Sequence, residues 1–219
     1  MGRMEMDLFD YAQSRAGAEK PVQPAVWEDP GTTLWGRAWL ANVRRICTPR
    51  FVSELAFAEK LLEAGRLQSC RVRKGHAQAT FTNRQGGMVL VNLSVRPLSS
   101  ASWAKIDRLC ARCGDELFAS DELQDDAVAG FFGHPDGLLP ELKDLAFSCS
   151  HCRTPFCLYR AATLLAVATE FAQRPIKLFE LRGATRELMF TRIALMTGDD
   201  NAEQLADVDL PSLFGIDLV

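Results

Sequence analysis

The chain has 219 residues, 47% of them hydrophobic, and a formal charge of −3, with three histidines and seven cysteines. That composition supports one substantial core and excludes collagenous, low-complexity and wholly disordered classes. No run reaches the roughly 18 apolar residues of a membrane span, and the N-terminal stretch lacks the apolar run of a secretory signal, so the expectation is a soluble, cytoplasmic protein with no membrane partner.

In chain order, residues 1–32 read as an N-terminal helix (Asp7 to Ala16) followed by a linker, "EKPVQPAVWEDPG", with Trp27 as a possible anchor. Residues 33–100 read as a helix-and-sheet region. "TTLWGRAWLANVRRI" spaces Trp35, Trp39, Leu40 and Val43 near the helical period, with Thr32 or Thr33 as N-cap. The stripe reads as core in preference to a stacking platform. "FVSELAFAEKLLEAGR" is a second amphipathic helix stopped by Gly65. "LQSCRVRKGHAQATFTN" and "GGMVLVNLSV" carry β-branched, partly alternating residues, with turns at Lys74-Gly75 and Gln85-Gly86-Gly87. These predict a small antiparallel sheet, closed by Pro97.

Residues 101–190 begin on a helix in "LSSASWAKIDRLC" with a serine cap. A helix and an exposed loop follow over 119–140. His134, in "FFGHPDG" beside Asp136, reads as part of a turn, and the carboxylates of "DELQDDAVAG" as a solvated helix face. Leu158, Ala161, Leu165, Ala168 and Phe171 share one helical face, and Arg174-Pro175 ends that helix. "IKLFELRGATRELMFTRIALM" is helical or mixed, and 191–219 form an acidic C-terminal tail. The fold expected is α+β: a small antiparallel sheet flanked by helices, with a zinc-binding helical C-terminal lobe.

Charge is uneven. Between Arg37 and Arg84, ten Lys/Arg stand against three Glu, a local excess of +7. Such a segment can track a phosphate backbone or present a solvated surface to acidic partners. Arg44, Arg45, Arg50, Arg71, Arg73, Lys74 and Arg84 are the candidate nucleic-acid contacts. No G-x4-G-K-[ST], G-x-G-x-x-G, H-E-x-x-H or G-x-S-x-G motif is present, so no enzyme is expected.

The cysteines carry the sharpest chemistry. Cys110-x2-Cys113, followed by Gly114, and Cys149-x2-Cys152 are two knuckle-spaced pairs separated by 35 residues. Paired thiolates at this spacing can chelate one structural zinc ion. The set Cys110, Cys113, Cys149 and Cys152 is the leading ligand reading, with His151 and Cys157 as alternates. Equally, Cys110 and Cys113 can sit three apart on a helix and simply pack. Cys47 and Cys70 read as buried thiols.

Five stretches, "TLWGRAWLANV", "EKLLEAGRLQSCRVRKGHAQATF", "VRPLSSASWAKI", "LLPELKDLAFSCS" and "RPIKLFELRGATREL", together resemble in order the bacterial SWIM zinc-finger family associated with SNF2-type helicases, over about residues 33 to 190. The family's metal motif is C-x-C, an insert, then C-x-H opening a helix. By resemblance its ligands fall on Cys149, on His151 with Cys152 beside it, on Cys157 and on Tyr159, so two of four positions depart. Tyrosine is a poor zinc ligand near neutral pH, and Cys110 and Cys113 are available donors for a rebuilt site. The resemblance implies a DNA- or RNA-binding adaptor holding one structural zinc, in a complex with protein partners such as a SNF2-type ATPase. A purely structural scaffold subunit of a nucleoprotein assembly is the alternative.

Overall fold

The computed structural model describes residues 29–114, 117, 123–133, 135–154 and 157–184. The expected N-terminal helix, Trp27, His134 and the acidic tail lie outside these residues.

Asp29 caps a 3-10 turn, Pro30–Thr32, by accepting from the Gly31 amide at 2.8 Å. Helix α1 (Leu34–Ile46) follows, with Thr33 Oγ1 accepting from the Gly36 amide at 3.2 Å. Gly36 is required by packing: a Cβ there would lie 2.0 Å from the Pro30 carbonyl oxygen. Trp35 and Trp39 are buried. Trp39 meets Phe171 edge-on at 5.0 Å, and its indole N–H donates to the Leu164 carbonyl at 2.9 Å. The tryptophan stripe is therefore core, as its helical spacing predicts.

Helix α2 (Pro49–Glu63) starts at Thr48, with proline in the first turn. It buries Phe51, Leu55, Ala58 and Leu62, and Gly65 ends the turn beyond it at φ +66°. Strands β1 (Leu67–Arg73), β2 (His76–Thr82) and β3 (Met88–Val95) form an antiparallel meander. Gly75 and Gly86 take positive φ at the two turns. Alternation sends Ala77, Ala79 and Phe81 of β2, and Val89, Val91, Leu93 and Val95 of β3, into the core. The outer face is mostly polar, with Met88 and Leu90 exposed on β3. Arg71, Gln78, Asn92 and Ser148 stand in register across four strands, Gln78 donating to Asn92 at 2.8 Å and Asn92 to Ser148 Oγ at 3.2 Å.

Helix α3 (Ser100–Cys113) is capped by Ser99, and α4 (Asp125–Phe132) follows. A fourth strand, β4 (Leu145–Cys149), then pairs antiparallel with β3 and gives the order β1-β2-β3-β4. The sequence patterns did not predict β4.

Helix α5 (Leu158–Gln173) spans the predicted range, but it is buried nearly all round: Ala161 to Thr169 are all buried. The expected single apolar face is too narrow because α1, α2 and the sheet all pack on this helix. One continuous core joins Trp39 and Phe81 of the first region to Phe171 and Phe179 of the second. Each fully buried aromatic contributes on the order of 2–3 kcal/mol. Helix α6 (Ile176–Leu181) closes the fold against β1. Behind it, buried Arg182 donates to the Arg96 carbonyl at 2.6 Å. The fold is α+β with a four-stranded antiparallel sheet, and among the described residues no helix is long and apolar enough to cross a membrane.

Candidate functional site

Cys149 is the last residue of β4, opposite Val91 of β3. The strand exit is pinned in both directions: the Ser150 amide donates to the Leu90 carbonyl, and Ser150 Oγ accepts from the Leu90 amide, each at 2.9 Å. Cys157 occupies the N-cap position of α5 in extended backbone, and its carbonyl accepts from the Ala161 amide at 3.0 Å. The chain between must turn from sheet to helix, and Cys152 lies on that knuckle.

The sulfur atoms of Cys149, Cys152 and Cys157 all lie within 4.8 Å of one another, and Cys149 and Cys157 are 4.0 Å apart. Zinc–thiolate bonds of about 2.3 Å in a tetrahedron place sulfurs about 3.8 Å apart. The three thiols thus form one face of a site that a small contraction would complete. They could hold a metal ion, and soft thiolates favour zinc, iron or copper(I) over calcium or magnesium.

The thiols differ electrostatically. The Thr154 hydroxyl, 3.3 Å from Cys152 Sγ, leads the effects that draw the Cys152 thiol down to about 6; contacts with Cys157 and His151 add to it against opposing desolvation. Burial pushes Cys157 up to about 12. A cation placed among the three would favour the thiolate at each.

His151 is exposed on the knuckle, its ring 5.1 Å from that of Tyr159, and it stands outside the group of three. Tyr159 is buried and packs on Phe81 at 5.7 Å. Burial first, then the neighbouring Cys157 and Cys149, raises its pKa, which deepens its unsuitability as a ligand.

Cys110 and Cys113 are not part of the group. Both lie in the last turn of α3; Cys110 is 2% exposed and Cys113 packs against the core. Gly114, at φ +53°, ends the helix, its amide donating to the Cys110 carbonyl at 2.9 Å. Of the expected set Cys110, Cys113, Cys149 and Cys152, the structure groups Cys149 and Cys152, with Cys157 as the third member, while Cys110 and Cys113 stand on α3. Cys47 and Cys70, expected to be buried, are half-buried and pack against the core; desolvation raises their thiols, to about 11 and about 12.

The candidate basic residues occupy several surfaces. Arg44 and Arg45 end α1, where Arg45 pairs with Glu141 at 2.8 Å, and Arg50 opens α2. Arg71, Arg73 and Lys74 line a cleft of about 490 Å³ between β1 and α6. Arg84, in the β2–β3 turn, lines a separate groove of about 740 Å³ whose opposite wall includes Cys152 and Cys157. Lys60, Arg66 and Phe57 share that groove. Lys60 and Arg66 belong to the +7 excess of the sequence but are not among its candidate contacts. No sequence signal singled out Thr154. No protein-family model matches the chain, and no curated protein or solved structure does so either.

Proposed function

We propose that the chain is a non-catalytic, zinc-binding, nucleic-acid-associated adaptor subunit of a larger complex. The observation that carries this reading is the convergence of Cys149, Cys152 and Cys157 where the edge strand β4 meets the start of α5. His151 supplies the fourth ligand by a rotation of its exposed side chain. Four protein ligands leave no position for water, so the ion is structural and not catalytic. It clamps a sheet edge to the central helix. Relative to the SWIM pattern this is a remodelled site: Cys149 and Cys157 keep their places, while Cys152 and His151 stand in for the two departing positions, the second ligand and the one lost at Tyr159.

The unpaired cations support the nucleic-acid half of the reading. Among the described residues, no carboxylate pairs with Arg44, Arg71, Arg73, Lys74 or Arg84. Cations without local partners are available for phosphates. The protein partners would include an ATPase of the SNF2 type or another nucleoprotein subunit, identified by co-purification from the native host.

Metal analysis of purified protein tests the first half: about one zinc per chain is expected, and less than about 0.2 overturns it. Binding to labelled DNA and RNA at two salt concentrations tests the second half, with affinity falling steeply as salt rises. Zinc binding with no response to nucleic acid would leave the purely structural scaffold as the better reading.

A further inference from the structure

Resting on the adaptor reading, we propose that the groove between α2, the β2–β3 turn and the thiol knuckle is the track of a single-stranded nucleic acid. Lys60, Arg66 and Arg84 line it, and the acidic side chain among its walls is Glu54. Among the described residues no carboxylate pairs with any of the three cations. Arg66 is braced in place, donating to the Asn83 carbonyl at 3.4 Å. The cleft beside β1 is a weaker candidate. It is smaller, at about 490 Å³ against about 740 Å³. Two of its cations are already neutralised, Arg174 by Glu170 and Lys177 by Glu180.

The second, independent feature is Phe57. It stands one helical turn before Lys60 on the groove wall and is 60% exposed. An aromatic face beside several cations is the combination that binds single strands: bases stack on the ring while phosphates meet the cations. A duplex keeps its bases stacked internally and cannot use the ring. A poly-glutamate peptide would satisfy the cations but has no aromatic ring to stack on Phe57. From the knuckle the groove wall takes His151, Cys152, Thr154 and Cys157 and not the exposed Arg153, so the Lys and Arg that line it are Lys60, Arg66 and Arg84.

The test is fluorescence anisotropy of the zinc-loaded full chain with labelled oligo-dT and oligo-U of about 16 nucleotides. A duplex of equal length and a poly-glutamate peptide are the competitors. Lys60→Ala/Arg84→Ala is expected to weaken single-strand binding about 10-fold and to flatten the salt slope by about 1.4, the value for two lost phosphate contacts. Phe57→Ala is expected to cost at least about 5-fold with little change in slope, as stacking requires. All three side chains are exposed, and circular dichroism confirms folding of each variant. Arg71→Ala/Arg73→Ala/Lys74→Ala, which removes cations of the other cleft, is expected to weaken single-strand binding less than Lys60→Ala/Arg84→Ala does.

If instead that triple variant loses binding while Lys60→Ala/Arg84→Ala keeps it, the groove assignment is overturned and the adaptor reading stands. A duplex bound more tightly than the single strands, or an unaffected Phe57→Ala, overturns the single-strand assignment. Preference for poly-glutamate overturns the nucleic-acid occupant. Failure of wild type to bind any nucleic acid at low salt overturns the adaptor reading and the groove together.

Discussion

Cys110 and Cys113 lie three residues apart on the last turn of α3, while Cys149 and Cys152, at the same spacing, straddle the exit of β4. In the helix, backbone hydrogen bonds are satisfied internally, and side chains at i and i+3 share one face. That face of α3 packs inward at Cys110, which puts its thiol in the core and leaves Cys113 half-buried against it. At the strand exit the chain has left the ladder and must reverse into α5. The reversal brings Cys157, eight residues on, back to within 4.0 Å of Cys149. Cysteine spacing proposes a chelate; the backbone between and beyond the pair decides whether a third ligand arrives.

The comparison can be broken most directly by metal content. Cys149→Ser or Cys157→Ser is expected to leave less than about 0.2 zinc per chain, because a structural site carries on the order of 10 kcal/mol of apparent binding free energy. Elemental analysis reads this. Equal loss from Cys110→Ser would show that the helical pair belongs to the site after all. Next in size, Cys110→Ser should destabilise the fold by about 1–3 kcal/mol in urea unfolding while keeping its zinc, since it puts a hydroxyl where a thiol is 2% exposed.

A third contrast lies in pH. In chelator-treated protein, iodoacetamide labelling of Cys152 should rise as pH passes about 6, whereas Cys157, raised to about 12, should stay unlabelled at pH 8. Cys47, raised to about 11, and Cys70, raised to about 12, should behave like Cys157. The linkage signs are opposite. The depressed Cys152 pKa stabilises the folded knuckle above the ordinary thiol range, and this is lost as pH falls through about 6. The raised Cys70 pKa leaves stability intact below the ordinary thiol pKa and erodes it as pH climbs toward about 12. Mass spectrometry of the labelled peptides separates the four sites. The smallest effect should come from Cys113→Ser: less than about 0.5 kcal/mol at a half-buried helix end, with zinc unchanged.

Much of the architecture was legible locally. Thr33 and Ser99 cap the helices their positions announce, and Gly75 and Gly86 turn where a positive φ is needed. The bounds of α5 follow from the apolar run and Arg174-Pro175. Strand β4 escaped because it is only five residues long; its alternating Leu145, Phe147 and Cys149 were the available signal. Missing it hid the site's geometry, since the partners of β4 on β3 lie far back in the chain. The stretch 147–157 was visible as a ligand source, but choosing Cys157 over Cys110 required knowing where β4 ends. Likewise the +7 excess was countable, while its division between the β1 cleft and the α2 groove was not.

By itself the sequence determined the first three helices of the described residues, α5, the meander, the absence of familiar enzyme motifs and the presence of clustered thiols and cations. These depend on local periodicity, caps and side-chain chemistry, which act over a few residues. Only the tertiary structure decided which thiols meet, that Tyr159 is buried against Phe81, and that Lys60, Arg66 and Arg84 share a groove with Phe57. Each of those results rests on non-local pairing: β4 adding to β3, and α5 packing between two helices and the sheet. Such contacts follow from burying one shared core, and no short window of sequence records them.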